Sequence, residues 1–380
     1  MPLSPALAEL AAYPFVRQDE AKAAVAARGI ELLDFGMGDP SEPTPSFIRD
    51  ALVAAVDETA GYPRAVGLPE LREAVAGWIG RRFDVDLDQA TDVIPTLGSK
   101  EAIFSLAQMV VGPGKHAIVV PEPAYPVYER GALFANAEPV FVPLLEEHGF
   151  LPDLDALEEN VLAHTAVFWV NYPNNPTGAL APLDFYERLT ELARRFDFVL
   201  ASDEAYTELW FDEPPVSALQ VADRTNVLAF NTLSKRSSMT GYRSGFAAGD
   251  PQLIAAMKAF RPSVGTAPQD FVQRASIVAW GDEEHVAATR EVYRQKRDVF
   301  LDLFARKGIG VAASEATMYL WFAVPEGEDS ESFAARLLER GVVVSPGSYF
   351  GAAGEGYARL ALVQPLEVCR RAAAILEEVL

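Results

Sequence analysis

The sequence predicts an α/β fold with a mainly parallel central sheet, followed by a smaller α+β part. Three observations predict it. Short apolar runs ending at Gly, Pro, Asn or Asp alternate with helical stretches through the middle of the chain, the pattern of βαβ units. Beyond about residue 270 this alternation gives way to a long helix-like segment and scattered short strands. The 380 residues, 50% of them hydrophobic, suffice for two cores of ordinary size.

In chain order, amphipathic spacing predicts helices over residues 68–82 and 100–111, with Pro69 in a first turn where its missing N–H is tolerated. Strands are expected over 116–120, 166–170, 198–201 and 226–230, with a helix over 182–196 between the second and third. The later part reads as a helix over 271–307, strands near 318–324, 342–345 and 359–363, and a closing helix. No Gly/Ser tether or repeat separates the two parts. The expected division is therefore a large domain of residues 45–270 and a small one of 1–44 with 271–380, sharing a broad interface whose cleft is the natural place for a site.

Composition excludes several functions. The chain has 32 Lys+Arg against 54 Asp+Glu, a net charge of −22 that repels phosphate backbones and anionic lipid surfaces, so neither nucleic acid nor membrane is an expected partner. A single cysteine, Cys369, and four scattered histidines form no zinc-type cluster, and no metal is expected. The lone thiol fits a reducing, cytoplasmic setting. Residues 1–15 carry Glu9 and early prolines rather than a basic, apolar export signal, and no apolar run approaches the roughly 20 residues of a membrane span. Dinucleotide, P-loop, zinc-protease and serine-hydrolase motifs are absent.

Three polar stretches follow strand-like runs, where open α/β sheets bind ligands: residues 171–178 (NYPNNPTG), 202–206 (SDEAY) and 234–243 (SKRSSMTGYR). Lys235, one of seven lysines, follows the run 226–230; partial burial there would lower its basicity and free the amine to attack a carbonyl. Read alone, such a lysine is more often a surface cation. Asp203 stands at the mouth of the sheet, where an unpaired charge is costly; an arginine or a protonated pyridine nitrogen would serve it. Ser234 and Arg243, with Gly98, Ser99 and Lys100 at a helix start, could form a phosphate cradle. By themselves Gly98-Ser99 read as an N-cap with Ser99 as the cap, and the stretch through Asn175 as a turn. Tyr125 could stack on a planar ligand or simply pack.

In this order the motifs NPTG, SDEAY and SK with an arginine eight residues on resemble those of the class I/II aminotransferases, the fold-type I enzymes that use pyridoxal 5′-phosphate (PLP), from about residue 33 to the carboxyl end. The resemblance implies that the large domain binds PLP and that Lys235 is the Schiff-base lysine and proton shuttle. Asp203 would pair with the pyridine nitrogen, Asn175 and Tyr206 would bond the phenolic oxygen, and Tyr125 would stack on the ring. Gly98, Ser99, Lys100, Ser234 and Arg243 would hold the phosphate. Arg359 would grip the substrate α-carboxylate in a pocket lined by Gly38 and Asn175. Tyr62 would reach the phosphate of a partner subunit, making the active unit a homodimer.

Within the family, residues 234–250, 319–322, 344–348 and 361–366, with Tyr13-Pro-Phe15, look like the N-succinyldiaminopimelate aminotransferases of lysine biosynthesis, which use glutamate as donor. Arg236, Arg17, Arg64 and Lys22 are candidate distal contacts. An aminotransferase for LL-diaminopimelate, alanine or aspartate, or a PLP-dependent β-lyase, would keep the same cofactor residues.

Overall fold

The computed structural model describes Ser4, Ala6, Leu7 and residues 14–380; Glu9, Tyr13 and the side chains of Pro14 and Phe15, on which parts of the sequence reading rest, lie outside what it describes. Strands are numbered along the chain: β1 (Leu33–Asp34), β2 (Val93–Thr96), β3 (Ala117–Glu122), β4 (Glu138–Pro143), β5 (Thr165–Asn171), β6 (Val199–Asp203), β7 (Val227–Thr232), β8 (Gly245–Gly249), β9 (Tyr319–Ala323), β10 (Val342–Val343), β11 (Ser345–Pro346) and β12 (Tyr357–Ala361).

Seven of them form one sheet in the order β2-β8-β7-β6-β5-β3-β4. Only β8 runs against its neighbours, pairing antiparallel with β2 and with β7. The strands β5, β6 and β7 are buried along their whole length, as strands covered on both faces must be. Two apolar clusters, one around Trp169 and Phe230 and the other around Phe168 and Leu200, cover the opposite faces. From β3 the chain passes outward to β4, whereas β5, β6 and β7 succeed one another on its other side. The topological switch therefore falls between β3 and β5, and the carboxyl ends of β3, β5, β6 and β7 open on one crevice.

The remaining strands make a three-stranded antiparallel sheet, β11-β12-β9, and the parallel pair β1-β10. Their core, centred on Phe35, Tyr293, Phe300, Phe322 and Leu360, also takes in Tyr206 and Leu209, so the two layers share one apolar seam.

Three expected elements need correction. The helix over 271–307 is two helices, Asp270–Trp280 and Glu284–Lys307, broken at Gly281 where Asp282 turns its carboxylate onto the His285 N–H at 3.0 Å. The first of them packs with Ile48 and Trp78 in the cluster beneath β2 and β8. The helix expected from residue 100 begins at Gly98, and its cap position is Leu97, so Ser99 is not an N-cap. The run 342–345 divides into β10 and β11, which belong to different sheets.

Candidate active site

A cavity of about 540 Å³ lies in the crevice at the strand ends. Its lining brings together nearly every residue singled out from the sequence: Gly38, Ser99, Lys100, Tyr125, Asn175, Asp203, Tyr206, Ser234, Lys235, Arg243 and Arg359. Gly98 lies just behind the lining, under Arg243. Tyr62 is fully exposed and does not enter the cavity of its own chain.

Lys235 rides on a single helical turn, Leu233–Arg236, that starts directly after β7; Thr232 caps it by accepting from the Ser234 N–H at 3.1 Å. Its amine donates to the Gly38 carbonyl. Burial pulls the ammonium below the usual lysine range, with Tyr319 and Asp39 working the other way. The half-buried amine thus faces the cavity and is not the surface cation of the simpler reading.

Asp203 ends β6 and is 4% exposed. Desolvation pushes it up to about 6 against two bonds that favour the anion, from the Tyr128 hydroxyl at 2.8 Å and from the Ala205 N–H at 3.2 Å. No arginine or lysine among the described residues pairs with it, which removes the arginine reading and leaves an acid aimed into the cavity without a cation. Tyr128 was not anticipated from the sequence. It stacks on Trp169 at 4.8 Å between ring centres, and this contact between β5 and the helix Val127–Phe134 is what aims its hydroxyl.

Asn171 joins the strand ends to the NPTG turn. Its Nδ2 donates to the Asp203 carbonyl at 2.7 Å, while its Oδ1 accepts the Asn175 N–H at 2.9 Å. The Asn175 Oδ1 in turn accepts from Arg359 Nη1 at 2.9 Å, leaving its NH₂ as the group it can offer a ligand. The Arg359 Nη2 donates to the Gly36 carbonyl at 2.7 Å, and the guanidinium lies 4.3 Å from the Tyr319 ring centre and 4.5 Å from that of Phe350. Held between two rings in β12, the middle strand of its sheet, it is a fixed planar fork and not an edge charge. Tyr319, also unforeseen as a site residue, touches the Tyr206 hydroxyl at 3.1 Å.

On the far side, an anion seat is built from absent side chains. A Cβ on Gly98, whose φ is +69°, would stand 2.7 Å from Arg243 Nη2. One on Gly245 would press on the Asn231 carbonyl and, at 3.1 Å, on the Ser99 N–H. The start of the helix Gly98–Val110 can therefore come up beside Arg243 and the Ser234 hydroxyl with its amide N–H groups free. An unpaired buried acid at one end and this cradle at the other fit the pyridine nitrogen and the phosphate of PLP, and the amine of Lys235 fits its aldehyde.

Of the distal candidates, Arg236 is core: it is 1% exposed, lies 5.0 Å from the Trp280 ring centre, and bonds the Ala279 carbonyl and Glu283. Arg17 reaches Glu331, and Lys22 reaches Asp19 and Asp34. None of these lines the cavity, nor does Arg64.

A lysine, an acid and an anion seat at adjacent strand ends of an open α/β sheet define a PLP-dependent transferase of amino groups. The chain belongs to the class I and II aminotransferases, whose family model it matches over residues 30–376. It is 44% identical over 367 residues to an LL-diaminopimelate aminotransferase of Nitratidesulfovibrio vulgaris, covering 95% of this chain and 94% of that one. Among solved structures, an aminotransferase from Neisseria meningitidis superposes with a TM-score of 0.93 at 38% identity, covering 99% of this chain and 100% of that chain. A probable N-succinyldiaminopimelate aminotransferase from Thermus thermophilus superposes at 0.90 and 33% identity, covering 96% of this chain and 100% of that one. No helix among the described residues is long and apolar enough to cross a membrane.

Proposed function

We propose that this PLP-dependent aminotransferase moves an amino group between LL-diaminopimelate and 2-oxoglutarate, with a second copy of the chain supplying Tyr62 to each site. The cofactor, when bound, supplies an electron sink that its protonated ring nitrogen deepens. Asp203 holds the proton on that nitrogen. Lys235, its basicity reduced by burial, would hold the cofactor aldehyde and would move the proton at the substrate Cα. Tyr206 and the Asn175 NH₂ would donate to the phenolic oxygen, Tyr125 would stack on the ring, and Ser234, Arg243 and the backbone amides of Ser99 and Lys100 would fasten the phosphate, leaving the Lys100 ammonium for the substrate. The Arg359 fork receives the α-carboxylate through two parallel donors beside the Gly38 backbone.

The preference for a free distal amine over the succinylated one expected from the sequence rests on one observation. Besides the charges given above to the cofactor and the α-carboxylate, the cavity lining carries Asp39 and the ammonium of Lys100, and neither of these two forms an ion pair among the described residues. Burial lowers the Lys100 pKa, and the nearby Arg243 and Arg130 lower it further, so an incoming carboxylate is welcome there. The distal end of LL-diaminopimelate carries both an ammonium and a carboxylate, one for each. A succinylated distal nitrogen is a neutral amide and offers Asp39 no cation. The relative at 44% identity supports the same reading.

Steady-state kinetics with 2-oxoglutarate and either amine test it. A larger kcat/KM is expected for LL-diaminopimelate, and Asp39→Asn should lower it about tenfold while leaving glutamate turnover intact. Preference for the succinylated amine would overturn the substrate assignment and leave the transamination chemistry standing.

A further inference from the structure

We infer that the ion pair between the half-buried Glu42 and the buried Lys296 is a positioning device that sets the carboxylate-binding end of the site. The inference rests on the reading of Arg359 as the α-carboxylate anchor and adds to it the residues that hold its surroundings in register.

Residues 36–44 form a strap between the two layers, and Gly36, Gly38, Ser41, Glu42 and Thr44 each tie it to one side or the other. The Gly36 carbonyl accepts Arg359 Nη2 at 2.7 Å and Ser345 Oγ at 2.8 Å. The Gly38 carbonyl accepts the Lys235 amine. Ser41 Oγ donates to the Val363 carbonyl, and Thr44 Oγ1 to the Ser238 carbonyl at 2.6 Å, three residues past Lys235. The strap thus touches both the lysine and the arginine through its own backbone, and its placement decides where a substrate carboxylate and Cα lie between them.

Glu42 is the strap's anchor in the interior. Its Oε1 accepts from Lys296, which is 1% exposed, and its Oε2 accepts from the Tyr293 hydroxyl at 3.3 Å. Both partners lie on the long helix Glu284–Lys307, and the Lys296 ammonium stands 5.1 Å from the Tyr293 ring centre. The same helix meets the residue before the strap, since Phe35 packs edge-on against Phe300 at 5.5 Å. Glu42 is the one acid that pairs with Lys296 among the described residues. A buried ion pair adds little net stability compared with apolar packing of the same volume, but it admits only the arrangement that satisfies both charges, which suits a device for register. An apolar pair at 42 and 296 would fill the space and let the strap slide.

The test uses the holoenzyme of the double variant Glu42→Leu/Lys296→Met, which removes both charges together and costs only the long hydrogen bond of the Tyr293 hydroxyl. KM for the amino donor and for the keto acid should both rise about tenfold with kcat changed less than about threefold, because the loss is in ground-state and transition-state binding alike. The dissociation constant of glutarate, a dicarboxylate that cannot react, should rise by a similar factor in calorimetry, whereas the visible absorbance of the resting enzyme and its affinity for cofactor stay as in the wild type. Wild-type KM values and glutarate affinity in this variant would overturn the proposal. Should it fail to fold, Tyr293→Phe, which removes one hydroxyl from Glu42, replaces it: a KM rise of about threefold at unchanged melting temperature is expected, and no rise overturns the proposal. Arg359→Lys separates the two levels. If that change leaves KM and glutarate affinity untouched, the reading of Arg359 fails whatever the strap does.

Discussion

Asp203 shows how far one buried group ties stability to chemistry. In the protein without cofactor, burial holds its carboxyl at about 6, against an ordinary value of 3.8. Between those values the folded chain keeps a proton that the unfolded chain has released, so this group lowers stability as the pH climbs from about 4 to about 6, by about 3 kcal/mol in all. Subtracting the urea-unfolding free energies of Asp203→Asn from those of the wild type across that range should reveal this slope, and parallel curves would refute it. On the role proposed for Asp203, the protonated ring nitrogen of the cofactor would reverse the sign locally, since it would reward the anion. Cofactor affinity should therefore weaken below about pH 6, and turnover by Asp203→Asn should fall severely while it still binds cofactor. Asp203 and Lys235 were legible because each belongs to a contiguous motif directly after an apolar run. Tyr128 and Tyr319 were not: each reaches the site by packing across elements far apart in the chain, and nothing in their local sequence distinguishes them from core aromatics.

Among the elements, the strap carries a tight local constraint. A Cβ on Gly38 would run into the Tyr319 hydroxyl, the same hydroxyl that meets Tyr206. Gly38→Ala should therefore displace Tyr319 or the strap, raising KM for both substrates at least about tenfold with little change in urea stability; a variant with normal KM would show that this contact yields freely. The long buried strands β5, β6 and β7 were readable because a run of apolar residues ending at a polar turn has few other meanings. The strands β2, β4 and β8 escaped notice for physical reasons. Pro95 interrupts β2, Pro139 and Pro143 sit in the exposed edge strand β4, and β8 (GFAAG) has almost no side chains from which a strand preference could arise. The break at Gly281 was missed because the residues on both sides favour helix, and only the Asp282 cap shows that the chain starts again.

For the molecule as a whole, the proposed dimer makes a sharp forecast. Tyr62→Ala and Lys235→Ala should each be nearly inactive alone. Unfolded together and refolded as a mixture, they should regain up to about a quarter of wild-type activity, because half the dimers are then hybrids with one complete site of two. No recovery, with dimers present by sedimentation, would place Tyr62 outside the site. The broad seam between the two layers was foreseeable from the lack of any flexible tether, whereas which strands lie in which sheet was not, since β10 and β11 are adjacent in sequence and part company in space. The bareness of β8 also reaches beyond catalysis. An engineer seeking heat tolerance would ordinarily trade glycine and alanine in a strand for valine or isoleucine. At Gly245 that exchange would press on the Asn231 carbonyl and the start of the neighbouring helix, where the vitamin's anionic tail is proposed to sit, so hardier versions must be sought on the solvent face, far from this thin wall.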